Sequence, residues 1–201
     1  MEKKKRKSEF RAEAIERMSA LPENVRAEKS QAACRRLVDL PEIRAARAIL
    51  LYIPLPDELD IWPALHAFQS NGKRVILPKC RPREREIICI EIADFQKDLA
   101  RGTFNILEPK GENGIGLDEI DAIVAPARAF DHAANRLGRG AGYYDRFFIR
   151  TGLDALKCGI AFDCQIFPAV PMLPHDVPVD LVVTESALIR GDGSAAENVD
   201  E

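Results

Sequence analysis

IDAIVAPARAFDHAANRLGRGAGYYDRFF, residues 120–148, contains the reading on which the fold turns. Residues 120–126, IDAIVAP, form an apolar run of strand length that stops at a proline. The second half places glycine at 138, 140 and 142, followed by Tyr143, Tyr144, Asp145 and an amphipathic run that reads as a helix ending near Gly152. Strand, glycine-rich turn and helix together are a building unit of α/β proteins. Alternating glycines remove the Cβ atoms that would keep a ligand off the backbone, so successive amides can converge on an anion. A helix starting at Tyr143 would add its first-turn N–H groups. GxGxG is neither the GxGxxG of dinucleotide sites nor the GxxxxGK[ST] of P-loops, so the spacing alone does not name the ligand, and a plain strand-to-helix connection accounts for the glycines equally well. Arg139 inside the loop and Asp145 just after it favour a phosphate site, because a magnesium nucleotide needs a cation beside the anion and a carboxylate for the metal.

Working outward, Phe10, Ala14 and Met18 recur at i, i+4 and i+8 and predict an amphipathic helix over 5–20. A second helix is expected over 22–40, between two prolines, and a third from Asp60 to Ser70 with Gly72 past its end. RAILLYIP (47–54), KRVILPK (73–79), KCGIAF (157–162) and DLVVTE (180–185) read as further strands, the last of these as the final one. IICIEI (87–92) alternates and fits an antiparallel edge. The expected fold class is α/β: a three-layer, Rossmann-like sandwich with a mainly parallel sheet flanked by helices, whose ligand would lie beyond the carboxyl ends of the strands. Residues 1–189 are expected to form a single domain and 190–201 a disordered acidic tail.

A chain of 201 residues with a formal charge of −3 carries no global basic field for nucleic acid. No apolar stretch approaches a membrane span, and MEKKKRK is followed by a polar run rather than a signal-peptide core. Five cysteines show no CxxC pair, which suits reduced thiols and a cytoplasmic protein. No Ser/His/Asp, Cys/His or HExxH arrangement is visible, so covalent hydrolysis and zinc chemistry are not expected. His175 reads as structural.

Lys7 and Arg11 stand one helical turn apart, where like charges repel unless an anion lies between them; a solvated charge run is the plainer account. Glu58, after a strand and two prolines, could accept hydrogen bonds from an amino-substituted heterocycle, or be a solvated loop acid. Of Tyr143 and Tyr144, one is expected in the core and the other against a flat ring in the cleft.

FDHAANRLGRGAGYYDRFF resembles the signature of 5-formyltetrahydrofolate cyclo-ligases, FDxxGxRLGxGxGYYDRF. The resemblance extends through the early K…R helix, DELD, the LPK strand end, FNILEP at 104–109, the AF…Q…P stretch at 161–168 and HDVPVDLVVTE. It implies ATP-dependent closure of 5-formyltetrahydrofolate to 5,10-methenyltetrahydrofolate: the formyl oxygen attacks the γ-phosphate to give a phosphorylated imidate, N10 closes the ring, and ADP and phosphate are released. Carried over by position, the resemblance implies ATP contacts at Lys7, Arg11, Arg136, Leu137, Gly138, Arg139, Gly140, Ala141, Gly142, Tyr143 and Tyr144. It places folate contacts at Glu58, Arg139, Gly140, Ala141, Gly142 and Tyr143, and a Mg2+ ligand at Asp145. Arg139, Tyr143 and Asp145 are the expected catalytic residues. A monomer is expected, with a dimer as the alternative. The chain departs from the family pattern at Ala127 and Arg128, where a small Gly-containing pair is usual, at Ala134 in place of glycine, and at Ala141. A non-catalytic folate or nucleotide binder on the same fold, or a sugar-phosphate or coenzyme A enzyme, is the rival reading.

Overall fold

The computed structural model describes residues 2–102, 107–150, 152–191 and 197–198. In chain order the elements are α1 (Glu2–Ser19), α2 (Glu23–Asp39), α3 (Pro41–Ala45), β1 (Ala48–Leu50), α4 (Trp62–Ser70), β2 (Arg74–Arg81), β3 (Glu86–Ile92), α5 (Phe95–Asp98), β4 (Leu99–Arg101) and β5 (Leu107–Pro109). They continue as β6 (Ala122–Ala125), β7 (Ala129–Asp131), β8 (Arg136–Leu137), α6 (Tyr143–Phe148), β9 (Leu156–Ile160), β10 (Ile166–Phe167), β11 (Leu181–Val183), β12 (Ala187–Arg190) and β13 (Glu197–Asn198).

Among the described residues the main sheet has eight strands in the order β13-β12-β11-β9-β6-β1-β2-β3. β2, β1, β6, β9 and β11 run parallel, while β3, β12 and β13 close the edges antiparallel. Strand side chains alternate between two buried faces. Ile49, Val75, Leu77, Val124, Ile160 and Val183 face α2, α3 and α4 through Leu37, Ile43, Leu65 and Phe68. Ala48, Leu50, Ile76, Ile123, Ala125 and Val182 face Phe130 of β7 and Phe147 and Phe148 of α6. This second layer is thin, and α1 does not lie on the main sheet. Its Ala14 packs on the small sheet β10-β7-β8 with Ala129, Leu137 and Phe167, and Phe10 stands 5.4 Å from Phe167.

The structure corrects several expectations. The chain does not pass straight from residue 126 into the glycine loop: the β7–β8 hairpin intervenes. Its turn is made by Asp131, buried, whose carboxylate accepts the Ala133 and Asn135 N–H groups, each at 3.0 Å, and the Val170 N–H at 2.9 Å. Helix α6 stops at Phe148 instead of running to Gly152, as Arg150 N–H bonds back to the Phe147 carbonyl and the chain turns. The strand at 181–183 is not the last, because Thr184 Oγ1 accepts the Ala187 N–H (2.9 Å) and folds β12 back on β11. Of the acidic tail, Glu197–Asn198 pair with β12, while 192–196 and 199–201 lie outside the described residues, as do 104–106 of the FNILEP stretch. No helix among the described residues is long and apolar enough to cross a membrane.

Ala134, at the tip of the β7–β8 turn, has φ +55° and is fully buried. An L-residue costs about 1–2 kcal/mol there, which is why glycine suits the position. Ala134→Gly is expected to change stability by less than about 1 kcal/mol, since released strain is offset by unfolded-chain entropy and a lost buried methyl. Ala134→Val is expected to lose more than about 2 kcal/mol, because a branched Cβ is least tolerated at positive φ. Urea unfolding of both variants checks the pair, and an equal loss in both would contradict the strain assignment.

Candidate functional site

β1 is flanked by β2 on one side and β6 on the other, so the chain leaves it in opposite directions at this point of the sheet. Such a switch point opens a crevice beyond the strand carboxyl ends. The segment after β1 brings Glu58 to the crevice, and the segment after β6 brings the glycine loop.

A cleft of about 640 Å³ lies on one side of that loop, within the range of small-ligand pockets. Its lining includes Gly138, Gly140 and Gly142 and the cations Lys7, Arg11, Arg85 and Arg146, together with Ile149, Leu173 and His175. Gly140 and Gly142 have φ +111° and +68°, and a Cβ on Gly140 would stand 3.4 Å from the Arg11 guanidinium carbon. Arg11 donates through Nε to the Gly138 carbonyl (2.8 Å), tying α1 to the loop. Burial lowers the Arg11 pKa, only partly opposed by Asp176 and Asp145. Lys7, buried, is ion-paired with Asp176, whose carboxylate also accepts the Leu173 N–H (2.5 Å).

Beneath the loop, Arg136 is 3% exposed and donates to Asp145 Oδ1 at 2.8 Å and to the Pro126 carbonyl at 3.4 Å. The rings of Tyr144 and Phe148 each lie 5.6 Å from its guanidinium. Asp145 Oδ1 also takes the Val177 N–H (3.3 Å), while its Oδ2 lies toward Gly142.

The other side of the loop is organised by Arg139. Its Nη1 donates to Glu58 Oε1 (2.9 Å) and to Asp57 Oδ1 (3.0 Å). Burial works against the Arg139 charge, but Glu58 and Asp57 more than offset it and raise its pKa. Tyr143 borders a smaller pocket with Pro82, Arg85, Gly140 and Ala141, the last three of which also line the cleft, and its ring lies 5.6 Å from the Arg146 guanidinium.

Lys7, Arg11, Gly138, Gly140, Ala141, Gly142 and Asp145 thus line one cleft, with Glu58 and Arg139 paired outside it and Tyr143 in the smaller pocket that shares its glycine loop. Of the residues expected at ATP, Arg136, Leu137, Arg139, Tyr143 and Tyr144 do not line this cleft, and three of these side chains are turned into the protein. Leu137 is 1% exposed and packs in the small core with Ala14 and Phe167. Arg136 is buried by the need to neutralise Asp145 under the loop. Tyr144 is the core tyrosine: its hydroxyl is buried without a partner, and burial pushes its pKa up. Helix α6, six residues long, has too small a dipole to carry anion binding by itself, so the cations and the open glycine backbone must. His175 is not a structural core residue; its side chain is 75% exposed at the cleft rim. Sequence reasoning missed Asp57, Arg85, Arg128, Arg146 and Asp176. Asp57, Arg146 and Asp176 lie in stretches that carry the family resemblance and Arg128 at a departure from it, whereas Arg85, at the tip of the β2–β3 hairpin with φ +55°, has no such signal. Among the cysteines, burial pushes the Cys34 and Cys89 thiols up to about 12, which leaves them unreactive.

Fold and site define an α/β class with a cation-lined glycine loop at the switch point of its sheet. The 5-formyltetrahydrofolate cyclo-ligase family model matches residues 3–185, and the chain belongs to that family of enzymes. The 5-formyltetrahydrofolate cyclo-ligase of Escherichia coli strain K12 is 30% identical over 174 residues, covering 85% of this chain and 96% of the relative. A probable 5-formyltetrahydrofolate cyclo-ligase of Schizosaccharomyces pombe is 28% identical, covering 92% and 98%. The solved 5,10-methenyltetrahydrofolate synthetase of Aquifex aeolicus superposes with a TM-score of 0.80 at 32% identity, over 97% of this chain and 96% of that one.

Proposed function

We propose that this protein converts 5-formyltetrahydrofolate to 5,10-methenyltetrahydrofolate with ATP as co-substrate, releasing ADP and phosphate. The observation that carries the proposal is one loop with two faces: glycines and four cations on one side, the Arg139–Glu58 pair on the other. A nucleotide fits the first face, its phosphates at the glycines, Lys7 and Arg11 and its base toward Ile149, Leu173 and His175. The folate fits the second, where Glu58 can accept from an amino-substituted ring, with Tyr143 in the smaller pocket between that face and the cleft cations. Phosphoryl transfer to the formyl oxygen demands positioning and charge neutralisation more than a protein nucleophile, which matches a site without a triad.

Among the described residues no group of three or more His, Cys, Asp or Glu could hold a metal by itself. Mg2+ would therefore rest on the Asp145 carboxylate, with Asp176 across the cleft and phosphate oxygens and water completing the shell, an arrangement this ion favours. When bound it would neutralise charge on the phosphate oxygens. In this reading both substrates are held by residues of a single chain and the protein is a monomer, and free thiols suit the cytoplasm.

Incubation with 5-formyltetrahydrofolate and MgATP should produce the methenyl chromophore and ADP in equal amounts. Binding of both without turnover would replace this reading with that of a non-catalytic binder. Glu58→Gln is expected to raise the KM for the folate by about 10- to 100-fold, the worth of one charge-assisted hydrogen bond, and to leave the KM for ATP unchanged. An unchanged folate KM would remove Glu58 from the folate site.

A further inference from the structure

The two loops that meet at the crevice are tied together by an alternating chain of charges. Arg128, 7% exposed just after β6, donates through Nη1 to the Asp57 carbonyl (2.9 Å) and through Nη2 to the Asp57 carboxylate. The other Asp57 oxygen accepts from Arg139 (3.0 Å), and the same Arg139 nitrogen donates to Glu58 (2.9 Å). The remaining Glu58 oxygen accepts the Leu55 N–H (3.1 Å), and Glu58 N–H closes a turn on the Leu55 carbonyl (3.0 Å). Burial by itself would raise the Asp57 pKa, but Arg128 and Arg139 more than offset it and hold it below the ordinary value.

Arg128 stands where the family pattern resembled above has a small pair, so the cyclo-ligase signature does not explain it. A buried guanidinium requires a counter-charge, and this one takes both the main chain and the side chain of the residue just before Glu58. Planar two-point contact fixes orientation as well as distance, which a lysine could not do. None of Arg128, Asp57, Glu58 or Arg139 lines the cationic cleft.

We propose that Arg128 and Asp57 are positioning residues, a bracket between the loops after β1 and β6 that presents Glu58 and Arg139 to the formyl-bearing substrate. The inference rests on the proposed function. It acts on the folate side alone: the bracket sets where the Glu58 carboxylate and the Arg139 guanidinium stand, while the phosphate side is held by α1 and the glycines.

Calorimetric titration with 5-formyltetrahydrofolate and, separately, MgATP tests it on the wild type, Arg128→Leu, Asp57→Asn and the double variant, with KM and kcat for each. Arg128→Leu is expected to weaken folate binding about tenfold, the scale of a small misplacement of binding groups, and to leave MgATP binding unchanged. Asp57→Asn, which keeps an oxygen acceptor for Arg128 and whose fold is checked by urea unfolding, should act in the same direction, and the double variant should be no worse than the stronger single one, as members of one unit behave. Unaltered folate binding, equal weakening of both substrates, or additive losses would overturn the bracket. A wild-type protein that binds no folate would overturn the proposed function, and the bracket with it, and is told apart by that wild-type control.

Discussion

Asp145→Ala is expected to lose about 3–5 kcal/mol of stability as well as turnover, because it strips a buried arginine of its partner. Arg136 is 3% exposed, its Nε already lacks a hydrogen-bond partner, and its contact with the Pro126 carbonyl is long at 3.4 Å. The 2.8 Å bond to Asp145 is what compensates this charge, since the flanking Tyr144 and Phe148 rings add only weak cation–π attraction. Against a total stability of roughly 5–15 kcal/mol, the alanine variant would be partly unfolded in any assay, and its inactivity would say nothing about a metal. Asp145→Asn separates the two roles. Its amide oxygen can still accept from Arg136 and the Val177 N–H, so the fold should be retained within about 2 kcal/mol. The amide lacks the charge that a magnesium ion needs. Turnover is therefore expected to fall by more than about 10²-fold across a magnesium titration while urea unfolding stays near that of the wild type. A folded asparagine variant with normal turnover would mean that Asp145 serves Arg136 alone.

The Arg136–Asp145 pair shows where sequence was readable and where it was not. The period of Phe10, Ala14 and Met18, the apolar strand runs, the prolines at 22 and 41 and the alternation at 87–92 are local patterns, and each is reproduced as α1, the parallel sheet, α2 and the edge strand β3. β7, β8 and β10 are two or three residues long and carry too little periodicity to register. Partners across the fold leave no local pattern at all: Lys7 meets Asp176 from 169 positions away, and Arg139 meets Glu58 from 81. The signature itself mixes residues of different duty. Gly140 and Gly142 face the cleft, whereas Leu137 and Arg136 within the same run hold the loop up from below. A contiguous motif does not say which of its side chains point at the ligand.

Gly140→Ala is expected to reduce kcat/KM by at least about 10²-fold with a stability loss of no more than about 2 kcal/mol. The reason is conformational rather than steric. A Cβ at Gly140 would meet only the Arg11 guanidinium at 3.4 Å, an ordinary contact with a flexible side-chain end. The φ of +111°, however, lies outside the left-handed well near +57° that an L-residue tolerates, so the loop must take another course. Both neighbours would move with it. Arg139 would leave Asp57 and Glu58, and the Ala141 carbonyl would leave Arg146 (2.8 Å), which also holds the β2–β3 turn through the Arg85 carbonyl (3.2 Å). Gly138 gives the contrasting case. It has no positive φ, but a Cβ there would stand 2.8 Å from Nη1 of Arg136, whose buried guanidinium is held by Asp145 through Nη2 and has little room to yield. Gly138→Ala should therefore unfold at lower urea, whereas Gly140→Ala should unfold near the wild type and fail in turnover. Steady-state kinetics and urea unfolding on the two variants decide the matter, and a Gly140→Ala protein with wild-type kcat/KM would show that the course of the loop at this residue is not what aligns the two substrates.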